Sequence, residues 1–160
     1  MIGLALVLAA SYGDVGVGLG VGFFGPYTQG GTSWGVPVAF GVGGQLGPLQ
    51  LGIEGRYQRR LFLEKELSRE SGSNTFHAIL AGSVCARAAR FEHRLGVGLG
   101  SLHDSRLDGF GFVVDTSYAF MHTDSGFYVR AGAWAGGIFG YDRYQNVAQL
   151  YSHIGIRFWL

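Results

Sequence analysis

The stretch LYSHIGIRFWL, residues 150–160, decides the fold because apolar side chains occupy almost every second position in it. The apolar members are Leu150, Ile154, Ile156, Phe158 and Leu160, with Ser152 in the same phase. A period of two is the period of a β-strand, since successive strand side chains point to opposite faces of the sheet. The chain is therefore predicted to end in a strand with one apolar and one polar face.

The same alternation recurs along the whole chain, with glycine or polar residues at the intervening positions. Besides the C-terminal run, the predicted strands are 14–24, 34–43, 49–62, 75–85, 91–102, 111–122 and 127–141. We expect the connections after the first, third, fifth and seventh strands to be longer and more polar than the others. This pattern predicts one all-β domain, an eight-stranded antiparallel up-and-down barrel, with a bulge at Pro37 because proline cannot donate a ladder hydrogen bond.

The composition favours a membrane environment over a soluble one. Of 160 residues, 29 are glycine and only 14% are charged, whereas soluble domains carry about 25% charged residues. The net charge of +1 and the absence of a basic patch give no reason to expect a nucleic-acid partner. The single cysteine, Cys85, excludes an intrachain disulfide and a cysteine-based zinc site, and we expect no cofactor or metal.

The apolar face is predicted to lie outside the barrel. In a soluble lipocalin-type barrel the opposite assignment would hold, and the exterior would then be glycine with little charge to solvate it. With the apolar face in lipid, the lumen receives Glu54, Arg56, Glu92, Arg94, Asp115, Arg130, His153 and Arg157. We predict a lumen ion network that joins Glu54 and Asp115 to members of the set Arg56, Arg94, Arg130 and Arg157. Aromatic residues near the strand ends are predicted to form two interfacial girdles: Phe23, Trp34, Tyr57, Phe112, Phe120, Phe127, Tyr141 and Phe158.

The first ten residues do not fit the glycine-rich alternation of the later strands. They are apolar and end in small residues, as in the hydrophobic part of a secretory signal, but no basic segment precedes them. We assign residues 1–12 to a signal-peptide remnant or N-terminal extension and residues 13–160 to the barrel. Alternatively, Ile2, Leu4, Leu6 and Leu8 belong to an added strand segment.

By this pattern, residues 14–160 resemble the small eight-stranded bacterial outer-membrane proteins, such as the transmembrane domain of outer-membrane protein A. The most specific local match is the alternating C-terminal strand with Phe158 and Trp159, although the final residue is Leu160 and not an aromatic. The resemblance implies a location in the outer membrane and contact with lipids and lipopolysaccharide. It also implies recognition of the C-terminal strand by the barrel-assembly machinery, and it leaves room for envelope protein partners.

The sequence predicts no enzymatic site, and three functions remain open. The first is a non-enzymatic barrel with a plugged lumen in a structural, adhesive or accessory role. The second is a lipid-modifying enzyme, which needs an outward Ser/His/acid cluster at the extracellular end, whereas the outward histidines His93 and His122 lie near the opposite turns. The third is a small pore. Gly20, Gly22 and Gly25 match a dinucleotide-loop spacing, but no helix follows them to bind a phosphate.

Overall fold

The computed structural model is a closed barrel of eight antiparallel strands in chain order. It describes residues 11–24, 32–46, 49–62, 73–86, 90–103, 108–122, 125–140 and 144–160. The strands are β1 (Ser11–Phe24), β2 (Thr32–Leu46), β3 (Leu49–Phe62), β4 (Ser73–Ala86), β5 (Phe91–His103), β6 (Asp108–Met121), β7 (Phe127–Gly140) and β8 (Tyr144–Trp159). The described residues contain no helix that is long and apolar enough to cross a membrane.

Each strand pairs with its neighbours in sequence, and β1 also pairs with β8, which closes the sheet. Ser11 and Trp159 lie at the same end of the barrel, together with the connections 47–48, 87–90 and 122–126. We call this the terminal end, and we call the opposite end the distal end. The sequence prediction of eight up-and-down strands is confirmed by this topology.

The strand bounds differ from the prediction mainly at the ends. β1 begins at Ser11, so the last two residues of the predicted N-terminal segment belong to the barrel; residues 1–10 lie outside the described residues. β6 and β8 begin at Asp108 and Tyr144, earlier than predicted. The connections at the distal end are 25–31, 63–72, 104–107 and 141–143, so only the first two are longer than those at the terminal end. The predicted asymmetry therefore holds for two of the four distal connections.

Side-chain burial alternates along the strands with the polarity reversed from that of a soluble barrel. On β5, for example, Leu95, Val97 and Leu99 are exposed, whereas Glu92 and Arg94 are buried. Val97 is 60% exposed, whereas Glu54 on β3 is 1% exposed. Such a surface would be unfavourable in water and is stable when hydrocarbon surrounds it.

Pro37 does not produce the predicted bulge. The register of β1 with β2 is the same on both sides of it, because Val17 pairs with Val38 and Gly20 pairs with Gly35. The two intervening positions are absent from the ladder, since proline has no N–H group to donate. On its other side Pro37 pairs with Gln58 in an uninterrupted β2–β3 register. The barrel therefore tolerates Pro37 by losing ladder bonds and not by inserting a residue.

The lumen has a glycine wall on β1 and β2 that faces large side chains from other strands. A Cβ atom added at Gly16 would lie 2.6 Å from the Tyr128 hydroxyl oxygen. A Cβ atom added at Gly43 would lie 2.6 Å from the Tyr12 hydroxyl oxygen. The missing side chains at these two positions make the space that the Tyr128 and Tyr12 side chains fill.

Val97 tests the orientation of the barrel wall. We expect Val97→Arg to lower the free energy of unfolding in lipid vesicles by about 2–4 kcal/mol, because an arginine near the middle of the lipid-facing band is poorly solvated. The matched control Val97→Leu keeps an apolar side chain and should stay close to the unmutated protein. The measurement is denaturant unfolding in vesicles, and equal stability of the two variants would contradict the outward assignment.

Candidate functional site: a buried ion network in the lumen

Glu54 is the centre of the ion network that fills much of the lumen. Its Oε1 accepts a hydrogen bond from Arg56 Nη2 at 2.7 Å, and its Oε2 accepts one from Arg130 Nη1 at 2.8 Å. Arg94 Nη1 also donates to Oε2. These arginines come from β3, β7 and β5, so one carboxylate connects three strands across the barrel.

Asp115 on β6 continues the network from Arg56. Its Oδ2 accepts a hydrogen bond from Arg56 Nη1 at 3.0 Å and one from the Tyr151 hydroxyl at 2.9 Å. The guanidinium carbon of Arg56 lies 4.1 Å from the centroid of the Tyr151 ring. Arg56 therefore has two carboxylates and an aromatic face as partners, which is the arrangement that a guanidinium buried in a protein requires.

A second cluster around Arg157 lies nearer the terminal end. Arg157 Nη1 donates to Glu92 Oε2 at 2.6 Å and to Gln50 Oε1 at 2.9 Å, and Nη2 donates to Asp14 Oδ2 at 3.0 Å. Arg130 Nη2 lies 3.9 Å from both Asp14 Oδ2 and Glu92 Oε1, which connects this cluster to the Glu54 cluster. Arg157 thus joins the network through Asp14 and Glu92, whereas the predicted network contained only the acids Glu54 and Asp115.

The acids and arginines of the described lumen are equal in number. The four carboxylates of Asp14, Glu54, Glu92 and Asp115 face the four guanidinium groups of Arg56, Arg94, Arg130 and Arg157, and all eight residues are buried. Removing ions from water is costly unless partners of opposite charge compensate them, so a balanced set is the stable one. Asp14 was not among the predicted lumen residues, although it has the same phase as the lumen-facing Gly16.

On the distal side of the ion pairs, amide and apolar side chains fill the lumen. Gln149 Nε2 donates to Gln58 Oε1 at 2.7 Å, and Trp134 Nε1 donates to Gln149 Oε1 at 3.1 Å. An apolar cluster adjoins this bridge and includes its tryptophan: Ile79, Leu102, Val113, Trp134, Ile138, Val147 and Tyr151. Leu102, Ile138 and Val147 lie near the distal ends of their strands, whereas Tyr151 contacts Asp115 in the ion network.

The aromatic residues predicted to form girdles lie on the outer wall wherever the structure describes them. Phe23, Trp34, Tyr57, Phe112, Phe120, Phe127 and Phe158 are all exposed, and Tyr141 lies outside the described residues. The first four lie toward the distal end and the other three toward the terminal end. Among the residues whose burial the structure describes, five further aromatic side chains point outward that the prediction omitted: Phe40, Phe91, Phe110, Tyr118 and Phe139.

The polar groups that an enzyme would need are dispersed. Ser152 faces outward, whereas its neighbour His153 is buried in the lumen. His122 Nδ1 lies 3.1 Å from Ser125 Oγ, but this pair is in a connection at the terminal end. Within the described ranges, no group of three or more His, Cys, Asp or Glu residues could hold a metal ion. Among the described residues, most of the charged side chains therefore lie in the lumen.

A closed eight-stranded sheet with an apolar exterior and an ionic interior is the fold of the small outer-membrane β-barrel proteins. Solved structures confirm this fold. Neisserial surface protein A aligns with a TM-score of 0.64 and 14% identity, covering 91% of this chain and 97% of its own. Ail, the attachment invasion locus protein of Yersinia pestis, aligns with a TM-score of 0.64 and 9% identity, covering 94% and 100%. No protein-family model matches the sequence, and no curated protein matches it significantly.

Glu54 tests whether the network stabilises the barrel. We expect Glu54→Gln to lower the free energy of unfolding in detergent by about 3–5 kcal/mol, because three buried guanidinium groups lose a shared carboxylate. The double variant Glu54→Gln/Arg94→Gln removes one charge of each sign and should recover part of the loss. The measurement is denaturant unfolding of both variants, and an unchanged midpoint for Glu54→Gln would contradict a stabilising network.

Proposed function

We propose that this chain is a non-enzymatic barrel of the bacterial outer membrane, with a plugged lumen and a structural, adhesive or accessory role in the envelope. The observation that supports it best is the pairing of an apolar exterior with a lumen filled by balanced ion pairs. Val97 is 60% exposed, whereas Glu54, Arg56 and Arg130 are at most 2% exposed. The ionic lumen excludes a core of the soluble type, and its filling leaves the connections as the surface available to a binding partner.

Lipids and lipopolysaccharide are the proposed surroundings of the outer wall. The exposed aromatic residues would lie at the two membrane interfaces, where such rings are enriched. The outward face of β8 presents Leu150, Ile154, Ile156 and Phe158. This face is the segment that the barrel-assembly machinery would recognise.

An adhesive or accessory role would use the distal connections. The longest one, residues 63–72, contains the mixed-charge sequence Glu64-Lys65-Glu66 followed by Arg69 and Glu70. Ail is by name an attachment invasion locus protein, which supports an adhesive role by fold analogy alone. Purification from native membranes in mild detergent would separate these roles. An accessory subunit would elute with a stoichiometric protein partner, whereas a structural or adhesive barrel would elute alone.

A lipid-modifying enzyme and a small pore are the competing functions. An enzyme would need a serine, a histidine and an acid together on the outer wall near the distal end. The described His122–Ser125 pair lies at the other end. A pore would need a continuous aqueous path past the ion pairs of Glu54 and past the apolar cluster that adjoins them.

Two properties of the unmutated protein test the proposal. The chain should fold only with detergent or lipid and should migrate differently in gels before and after heating, because the barrel persists in detergent until it is heated. In planar bilayers it should show no steady conductance, because ion pairs and apolar side chains fill the lumen. A soluble, folded and monodisperse form without amphiphile would contradict the membrane assignment. Steady single-channel steps would instead favour the small pore.

A further inference from the structure

The outer wall at the terminal end of β5 and β6 has a column of aromatic and basic side chains that the lumen network does not use. Phe91 pairs with Phe120, and two residues further from the rim His93 pairs with Tyr118. The Phe91 and Phe120 rings meet edge to face with their centroids 5.4 Å apart. All four side chains point outward and are exposed.

The histidine in this column is held in one orientation. The His93 and Tyr118 rings stack 4.4 Å apart at an interplanar angle of 7°. His93 Nε2 also lies 3.4 Å from Thr116 Oγ1. A stacked imidazole and phenol present polar edges beside apolar faces, which suits the boundary between hydrocarbon and headgroups better than the middle of a bilayer.

At the terminal end, the described rim beside this column carries a basic residue. Arg90 precedes Phe91 and is exposed, and its backbone has φ 56°. This left-handed conformation is uncommon for a residue other than glycine, asparagine or aspartate. Backbone preference alone therefore does not explain an arginine at this position. The carbonyl of Arg90 accepts a hydrogen bond from Met121 N at 3.0 Å, which fixes the rim next to His122.

His122 completes the rim on the β6 side. Its side chain is exposed, and its Nδ1 lies 3.1 Å from Ser125 Oγ, so Nε2 is the ring nitrogen that this contact does not use. The acids of this end that the structure describes are turned away from the column. Asp14 and Glu92 are buried in the lumen with Arg157; Asp124, in the same connection as His122, lies outside the described residues.

We infer that Arg90 and His122, with the Phe91–Phe120 and His93–Tyr118 pairs below them, form a binding site for one phospholipid with an anionic headgroup. The Arg90 guanidinium and His122 Nε2 would bind the phosphate of a headgroup that carries no cation of its own, since a guanidinium matches phosphate geometry and charge and a choline cation would be repelled. The four rings would contact the upper acyl chains. This inference rests on the proposed function, because it requires the terminal rim to lie at a membrane interface.

Native mass spectrometry of the full chain in mild detergent tests the site. The protein is mixed with equal amounts of phosphatidylglycerol and phosphatidylcholine that have identical acyl chains. We expect preferential retention of phosphatidylglycerol, and Arg90→Gln should lower the ratio of retained phosphatidylglycerol to phosphatidylcholine roughly fivefold, since one arginine at a membrane surface contributes about that factor. Arg90→Lys should restore most of the preference. The matched control Arg59→Gln removes an exposed arginine at the distal end and should leave the ratio unchanged.

Two further arms make the result specific. Inorganic phosphate at millimolar concentration should not displace the lipid, because it lacks the acyl contacts; displacement would overturn the lipid assignment in favour of a simple phosphate site. Phe120→Ala should weaken retention of both lipids alike. An unchanged ratio in Arg90→Gln, or an equal loss in Arg59→Gln, would overturn the inference. Each variant is first checked for the heat-dependent gel shift, so failure of the lipid site is distinguished from failure of the membrane barrel itself.

Discussion

The shared carboxylate of Glu54 is the constraint on which the rest of the barrel depends. It lies within hydrogen-bond distance of arginines from β3, β5 and β7, and Arg56 extends the chain of charges to Asp115 on β6. A slip of one residue in any of these strands would move its charged residue to the lipid face and leave the partners unpaired. The network therefore specifies strand register across the barrel, which backbone ladders alone would not do.

The outer face of the barrel wall meets hydrocarbon and the inner face meets buried ions, and the alternation of side chains along each strand suits both. Outside, only apolar and aromatic side chains are stable against hydrocarbon; inside, charges are stable only in a balanced and hydrogen-bonded set. Buried apolar residues such as Trp134 and Ile138 share the lumen with the ions. Because they exclude water from their surroundings, they strengthen ion pairs and make an unpaired ion more costly.

The sequence predicted the architecture well because period-two alternation is a local signal that each strand repeats. It also placed Glu54, Arg56, Arg94, Asp115 and Arg130 in one lumen. The pairing of Arg157 with Asp14 and Glu92 was not predictable, because partners across a barrel depend on strand stagger, which the alternation does not specify. The prediction of a bulge at Pro37 was wrong because the sheet loses ladder hydrogen bonds there without changing register.

The glycine wall of β1 and β2 has a consequence for how this barrel can diverge. Tyr128 occupies the space beside Gly16, and Gln149 occupies the space beside Gly20. A larger residue at one of these glycines fits only if the opposing side chain shrinks, because the lumen volume is fixed by eight strands. Among descendants of this chain, side-chain size on the glycine wall should therefore covary inversely with size at the facing positions of β7 and β8. Lumen volume would then be inherited more faithfully than the identity of any residue that fills it.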